Sequence, residues 1–207
     1  MNMMRRIDEN LYIFGGVKGL VRDGDELKKE LLEIRPDVVL ITISPEQVDG
    51  MMDFIEDPFE VDMSDYEILY GINLARYGEV MTPSPVYIEA TKYCRENNIE
   101  MIGLDMEEGE YQILYSKYVK TTDLLRHSLR KKKVSRLKFN QETPEEFVET
   151  WNKVVDLKSF KKVNAAREEY INNRIDNMLK EYSDKKILCV VDYDYYNNIL
   201  KHLDEKS

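Results

Sequence analysis

Residues 11–19, LYIFGGVKG, have the pattern of a buried strand that ends in a glycine turn. Apolar side chains fill the first four positions, and two consecutive glycines then allow a sharp change of chain direction. Turns that follow strands carry the ligand-binding residues of many proteins built from alternating strands and helices. Because Lys18 follows soon after these glycines, the turn offers a positive charge to a ligand.

Three further short apolar runs resemble the first one in composition. They are DVVLITI at 37–43, EMIGLD at 100–105 and KILCVVD at 186–192. Their near-continuous hydrophobicity, rather than strict alternation, is typical of parallel strands that are covered on both faces. We therefore predict an α/β fold with a mainly parallel central sheet flanked by helices.

Helix signals occupy the segments between these runs. Segment 25–34 carries apolar residues at helical spacing, and Pro36 follows it and favours an end to the helix. Two pairs of residues have the spacing of capping boxes, in which a hydroxyl and a side chain three residues later satisfy the first backbone groups of a helix. These pairs are Ser44 with Gln47 and Ser64 with Glu67.

The segment 108–183 has no strand signal and is dominated by long amphipathic helices. The first predicted helix has an apolar face formed by Ile113, Leu114, Tyr118, Leu125 and Leu129. A second helix is predicted to begin at Thr143, and a third to precede the last strand. We predict a single α/β domain over residues 1–207, in which 108–183 is a helical insertion before the last strand.

The charge balance bears on the classes of partner. Forty acidic and thirty basic residues give a net charge of −10, which repels phosphate backbones and anionic membrane surfaces. The basic run LRKKKVSRLK at 129–138 is interpreted as a solvated helix end. We predict no nucleic-acid or membrane partner, and the absence of an apolar run of membrane-spanning length favours the cytoplasm.

No metal site or cofactor site is predicted from the motifs. The turn after the first strand lacks the glycine spacing of phosphate-binding and dinucleotide-binding loops. His127 and His202 have no cysteine or carboxylate at ligand spacing, so both are interpreted as surface residues. Asp192 and Asp194 offer oxygen ligands, but two alternating carboxylates at a strand end are more often solvated.

Four fragments, taken in order, have a further pattern in common with one group of proteins. They are GGVK at 15–18, PDVVLITISPEQ at 36–47, AAREEYINNRI at 165–175 and VVDYDY at 190–195. Their order and spacing resemble the TraB/PrgY pheromone-shutdown family, which is related to the Tiki and GumN proteins. The resemblance covers most of the chain and implies the fold of erythromycin esterase-like and ChaN-like proteins.

The resemblance also implies where a functional site would lie. Proteins of this group are proposed to use two histidines and a glutamate in a metal-dependent, peptidase-like site. Lys18, Thr42 and Tyr195 stand at those three places in this chain, Gln47 stands at an arginine place, and Arg167 is kept. Because a protonated lysine repels a divalent cation, the resemblance implies a member without the metal.

The replaced positions lead to a hypothesis about the ends of the strands. If the first and last strands end side by side, the Lys18 ammonium would take part of the space of the metal. It would then form an ion pair with Asp192 or Asp194.

The leading functional prediction is a non-catalytic protein that binds a partner protein or a small molecule in an altered crevice. The residues predicted to line this crevice are Gly15, Gly16, Lys18, Thr42, Gln47, Asp105, Arg167, Asp192 and Tyr195.

Two alternatives stay open at this point. The first is a hydrolase that uses a different residue set, in which Lys18 or Arg167 stabilises an oxyanion and Asp192 or Asp194, near Tyr195, acts as the general base. The second is a helical scaffold that forms a homodimer through exposed tyrosines and methionines, because such side chains are enriched at interfaces.

Overall fold

In the computed structural model, which describes residues 3–206, five strands form one sheet. The strands are β1 (Met4–Arg6), β2 (Leu11–Gly16), β3 (Val38–Ile41), β4 (Glu100–Gly103) and β5 (Ile187–Asp192). Their order across the sheet is β1-β2-β5-β3-β4. Strand β1 pairs antiparallel with β2, and all other neighbours are parallel. The predicted α/β fold with a mainly parallel sheet is therefore confirmed.

Helices fill the connections between the strands. They are α1 (Val21–Ile34), α2 (Pro45–Glu56), α3 (Asp65–Leu74), α4 (Pro85–Asn97), α5 (Glu108–Tyr118), α6 (Thr121–Val134), α7 (Pro144–Val155), α8 (Lys158–Glu181) and α9 (Tyr193–Asp204). Both predicted capping boxes form, at the starts of α2 and α3. Thr143 caps α7, because its hydroxyl accepts the backbone N–H of Glu146 at 3.2 Å. None of the helices in residues 3–206 combines the length and apolar character needed to cross a bilayer.

The sheet is buried on both faces because alternate residues of its strands point in opposite directions. On one face, Ile13, Leu40 and Cys189 pack with residues of α8 and α9. On the other face, Phe14 and Val190 pack with residues of α1, α2 and α4. Covering both faces explains the near-continuous hydrophobicity of the strand sequences.

A third apolar cluster lies among α3, α6 and α7 and is rich in aromatic rings. Phe147 is fully buried at its centre, and its ring centroid lies 5.3 Å from that of Phe139 and 6.0 Å from that of Trp151. Val17 and Leu20, which follow β2, also belong to this cluster. The cluster therefore holds α6 and α7 against the turn at the end of β2.

Two sequence expectations were wrong. Strand β1 was not expected, because its three residues MRR carry no apolar pattern and it lies at the sheet edge. The single apolar face predicted from Ile113 to Leu129 does not exist, because α5 ends at Tyr118 and α6 begins at Thr121. Val119 is buried at this break, while the side chains of Ile113, Leu125 and Leu129 are exposed. Helices α5 to α8 occupy the segment predicted as an insertion, and the single-domain organisation stays a prediction.

Candidate ligand-binding crevice

The candidate site lies at the carboxyl edge of the parallel strands. Gly16 at the end of β2 is paired with Asp192 at the end of β5. Thr42 directly follows β3, and its hydroxyl accepts the backbone N–H of Asp192 at 2.9 Å. Asp105 lies two residues beyond β4, so the ends of four strands deliver polar groups to one edge.

The turn after β2 is held by hydrogen bonds to two neighbouring segments. The backbone N–H of Val17 donates to the buried Asp23 carboxylate at 2.8 Å, and the N–H of Gly19 donates to the Ser84 hydroxyl at 3.3 Å. A Cβ at Gly16 would lie 2.8 Å from a Val86 methyl group, so α4 packs directly on this glycine. The turn is therefore a fixed support for Lys18.

The predicted Lys18 ion pair does not form. Lys18 is exposed and takes part in none of the ion pairs found in the described part of the chain. Its charge still acts through space, because it lowers the pKa values of Asp192 and Asp194 against the raising effect of burial. The physical reason is the anchored turn, which leaves the flexible lysine side chain in solvent rather than between the aspartates.

Arg167 and Asp105 form the buried ion pair of this edge. Arg167 Nε lies 3.1 Å from Asp105 Oδ2, and Nη2 contacts the same oxygen. The guanidinium also lies 5.4 Å from the ring centroid of Tyr111 and 5.9 Å from that of Tyr195. Burial alone would lower the pKa of Arg167, but the hydrogen bonds and charge of Asp105, together with the nearby Tyr195 and Tyr111, outweigh it and raise the pKa. Arg167 thus joins α8 to the end of β4, to α5 and to α9.

The pKa of Asp192, at the end of β5, lies above the ordinary value of an aspartate. Its side chain lies among α4, β3 and β5, and burial raises its pKa to about 6. Nearby Lys18 and the Tyr87 hydroxyl oppose this effect without cancelling it. The Tyr87 hydroxyl is itself buried and makes no hydrogen bond of normal geometry. Asp192 therefore exchanges its proton close to neutral pH.

A crevice of about 350 Å³ opens beside these residues, between α7, α8 and α9. The residues that line it are Asn152, Asp156, Lys161, Asn164, Ala165, Arg167, Glu168, Asp194 and Tyr195. We call this space the α7–α9 crevice.

Two carboxylates face the α7–α9 crevice and are held by amide groups. Asn152 Nδ2 donates to Asp194 Oδ1 at 2.7 Å, and Asn164 Nδ2 donates to Asp156 Oδ2 at 3.2 Å. Solvent reaches Asp194, but the surrounding protein walls remove much of its hydration and raise its pKa; the charge of Asp156 adds to this effect. Burial likewise raises the pKa of Asp156. The crevice therefore holds two carboxylates that lack a full counter-charge.

The predicted site residues fall into two groups. Arg167, Asp194 and Tyr195 line the α7–α9 crevice. The others lie at the sheet edge behind it or are used by the fold. They are Gly15, against the Tyr196 ring; Gly16, against Val86; Thr42 and Asp192, hydrogen-bonded to each other; Asp105, paired with Arg167; Lys18, in solvent; and Gln47, in the capping box of α2.

Sequence reasoning missed the crevice residues of α7 and α8. Asn152 and Asp156 are four residues apart at the end of α7, and Asn164 lies one and a half turns into α8. The polar run at the break between these helices was the only signal available, and nothing in it indicated a position beside Asp194. Tyr87 was missed because it lies on the apolar face of α4.

The metal that the family resemblance implies does not fit the residues at its three places. Lys18 is a cation in solvent, the Thr42 hydroxyl already accepts a backbone N–H, and burial raises the pKa of Tyr195 further above its ordinary value. Within residues 3–206 no group of three histidine, cysteine or acidic side chains is placed to hold a metal ion. These three side chains therefore do not form a set of metal ligands.

The two histidines lie outside the crevice lining, and both are half-buried rather than on the surface as predicted. His127 is half-buried because its ring stacks on Tyr66 with centroids 4.0 Å apart. Phe160 closes the other side with its ring edge. His202 Nε2 lies 3.1 Å from an Asp176 carboxylate oxygen.

Comparison with solved structures gives a distant likeness. No protein-family model matches the sequence, and no curated protein sequence matches it. Among solved structures, the chain is similar to a mutant of an erythromycin esterase in its open conformation, with 12% sequence identity and a TM-score of 0.38. The match covers 88% of this chain and 60% of that one, so this chain spans less than two thirds of the esterase's length. The α/β fold assignment rests on the strand order and pairing described above.

Proposed function

We propose that this protein binds a small, positively charged polar molecule in the α7–α9 crevice and does not transform it. The observation that carries the proposal is the pair of carboxylates, Asp156 and Asp194, whose pKa values are both raised in one crevice. A bound ammonium or guanidinium group would supply the counter-charge that these carboxylates lack.

The charges around the crevice favour a cation over an anion. The Arg167 guanidinium is engaged by Asp105, so its charge is balanced before any ligand enters. The other charged residues of the lining are one cation, Lys161, and three carboxylates, those of Asp156, Glu168 and Asp194. A ligand anion would meet more carboxylates than free cations, and like charges in a poorly hydrated space repel.

The dimensions of the crevice support a small ligand. A volume of about 350 Å³ lies at the lower end of the range for small-molecule sites. Asn152 and Asn164 fix the two carboxylates, so the acceptors are oriented before binding. The Tyr195 ring provides one apolar wall for a short alkyl chain. A diamine or a guanidinium compound with a short chain has the matching chemistry.

We expect purified protein to bind agmatine or putrescine, and we expect Asp194→Asn to weaken that binding about tenfold, since one charged hydrogen bond is lost. Isothermal titration calorimetry of the natural chain and the variant measures both constants.

Glu169→Gln is the matched control, because Glu169 is an exposed residue of α8 that lies outside the crevice lining. This variant also removes one negative charge and should bind as the natural chain does. Equal weakening by both variants would mean that only the overall negative charge attracts the amine. Failure of the natural chain to bind any amine of the panel would refute the proposal.

We further propose that the chain is a divergent TraB/PrgY-like protein that acts in the cytoplasm. The support is the position of four residues. Lys18, Thr42 and Tyr195 follow the neighbouring strands β2, β3 and β5, where the family resemblance puts its site. The Arg167 guanidinium lies over the Tyr195 ring. The buried, unpaired thiols of Cys94 and Cys189 are consistent with a reducing compartment.

A hydrolase is the second candidate function, and Asp192 is the observation in its favour. A carboxylate with a pKa of about 6 accepts a proton at neutral pH and can activate water. Arg167 is a poor oxyanion partner in this version, because Asp105 already engages its Nε and Nη2 and balances its charge. Lys18 is the remaining mobile cation at this edge.

If the hydrolase candidate is correct, activity toward p-nitrophenyl esters or quenched peptides should rise as the pH passes about 6 and should be lost in Asp192→Asn. A pH–rate profile of the natural chain and the variant makes this measurement.

Stability provides an independent measurement of the same group. The folded chain holds the Asp192 proton more tightly than the unfolded chain, so this group contributes stability at low pH. That contribution is lost as the pH rises from 3.8, the ordinary Asp value, to about 6. Asp192→Asn should remove this pH dependence. If the dependence vanishes in the variant but no substrate is turned over by the natural chain, the non-catalytic proposal is kept and the hydrolase is rejected.

A further inference from the structure

Exposed apolar side chains are concentrated in two parts of the described surface, neither of which lines the α7–α9 crevice. The first is a groove between α3 and α6, lined in part by Ile68, Leu69, Leu129, Lys131 and Lys132, which we call the α3–α6 groove. The second is the irregular segment 57–63, DPFEVDM, which precedes α3 and which we call the acidic segment. Single exposed apolar residues are normal, but clusters of them mark interaction surfaces.

The α3–α6 groove is apolar at its base and has a volume of about 580 Å³. Leu129 is 70% exposed and Ile68 is 43% exposed, so the chain itself leaves this surface uncovered. Ile72 and Leu125 extend it, because each lies one helical turn from a groove residue and is more than half exposed.

The rim of the groove is strongly basic although the chain as a whole is acidic. Residues 126–138 include seven lysines and arginines and no carboxylate, whereas the net charge of the chain is −10. Lys131 is paired with Asp65 at the start of α3. Lys132 and Lys133 take part in none of the ion pairs found in residues 3–206. The rim therefore attracts a negatively charged partner.

The acidic segment has the complementary chemistry. Its apolar residues Phe59, Val61 and Met63 alternate with Glu60 and Asp62. Every residue of the segment is exposed, and Phe59 is 55% exposed despite an edge contact with Phe54. In an extended chain this alternation puts the three apolar side chains on one side and the two carboxylates on the other. Such a segment can insert its apolar side into a groove while its carboxylates meet a basic rim.

We propose that a second copy of this chain occupies the α3–α6 groove and inserts its acidic segment there. The contact is reciprocal, because each copy has one groove and one segment, which is the arrangement of a closed twofold dimer. The acidic segment leads directly into α3, so the two contacts lie close together and form one continuous interface. The ion pair between Lys131 and Asp65 already joins the basic helix to the end of this acidic stretch within one copy. This inference is independent of ligand binding in the α7–α9 crevice.

Charge reversal on each side gives the experiment. Variant G carries Lys132→Glu and Lys133→Glu on the basic rim, which leaves the Lys131–Asp65 ion pair intact, and variant S carries Glu60→Lys and Asp62→Lys in the segment. We expect the natural full-length chain to form a dimer, and each variant alone to dissociate at least ~10-fold more readily, since like charges then face each other. Light scattering with size exclusion and sedimentation equilibrium measure the dissociation constants.

Mixing the two variants is the decisive step. In a mixed dimer, the acidic segment of G meets the natural groove of S, and the basic segment of S meets the acidic groove of G. Both contacts are again complementary, so the mixture should dimerise within about threefold of the natural chain. Lys180→Glu with Lys185→Glu is the control, because it reverses two exposed charges outside both surfaces and should leave dimerisation unchanged.

Three results would overturn the inference. The first is a natural chain that stays monomeric up to about 1 mM, which would assign the groove to a different acidic partner. The second is a dimer that neither variant weakens, which would assign dimerisation to another surface. The third is a mixture of G and S that fails to associate although circular dichroism shows both variants folded.

Discussion

Replacement of Arg167 by methionine is expected to lower the free energy of unfolding by about 3 kcal/mol, because it leaves a buried carboxylate without its partner. The Asp105 side chain is only 5% exposed, and Arg167 holds it through Nε and Nη2. Methionine keeps an apolar side chain at this position but lacks the guanidinium that lies over the Tyr111 and Tyr195 rings. The loss therefore combines the ion pair with these ring contacts. Urea denaturation followed by circular dichroism measures it.

Arg5→Met is the matched control for this substitution. Arg5 also contacts a carboxylate, that of Asp204 at 3.1 Å, but both side chains are about half exposed. Solvent screens such a pair, so its loss should cost less than about 1 kcal/mol. A second comparison uses Asp105→Asn, which keeps an oxygen to accept the N–H of Met106, now at 2.8 Å from Asp105 Oδ1.

The double variant separates the ion pair from packing. In an Asp105→Asn background no buried charge is left behind, so Arg167→Met should cost at least about 1 kcal/mol less than it does in the natural chain. If the cost is the same in both backgrounds, the ion pair contributes nothing and Arg167 acts through its aromatic neighbours alone.

The expected result also assigns a role to Arg167. A guanidinium committed to Asp105 positions α8, and α8 supplies Asn164 and Glu168 to the crevice. Arg167 is therefore a positioning residue. Its ion pair links the end of β4 to α8.

The central sheet could be predicted from the sequence because local composition determines it. Strands β3 and β5 are buried on both faces, and such strands contain near-continuous runs of Val, Ile and Leu, whereas β4 is partly exposed. Strand β1 could not be predicted, because its residues MRR adopt the strand conformation by pairing with β2 and leave no pattern of buried apolar residues in the sequence. The break between α5 and α6 was missed for a related reason: neither proline nor glycine marks it, and burial of Val119 decides it.

Only the part of the candidate site that lies at the ends of the strands could be predicted from the sequence. Parallel strands bring their carboxyl ends together, so Thr42, Asp105 and Asp192 were expected at one edge. The helices add Asp156 and Asn164, and their approach to Asp194 depends on how α7 and α8 pack, which spacing along the chain does not encode. The predicted Lys18 ion pair was wrong because sequence gives the end of a strand but not the direction of a long side chain.

Replacement of Gly103 by alanine is the second large effect, and we expect it to cost about 3 kcal/mol of unfolding free energy. Gly103 ends β4, and a Cβ there would lie 2.8 Å from the carbonyl oxygen of Ile43 and 2.8 Å from the nitrogen of Pro45. These are backbone atoms, so no rotation of a side chain can relieve the overlap. The strand must move away from the start of α2. Chemical denaturation measures the loss.

Gly50→Ala is the control, because Gly50 lies inside α2 and a Cβ there has no neighbour within 4 Å. Alanine is the better helix former, so this variant should gain about 0.5–1 kcal/mol. The close approach at Gly103 also holds Asp105 at the candidate site. The backbone N–H of Leu104 donates to the carbonyl of Ile41 at 2.8 Å, and that of Asp105 donates to the carbonyl of Ile43 at 3.1 Å. If Gly103→Ala costs less than about 1 kcal/mol, β4 can shift freely, and Asp105 is then held in place by Arg167 rather than by the sheet.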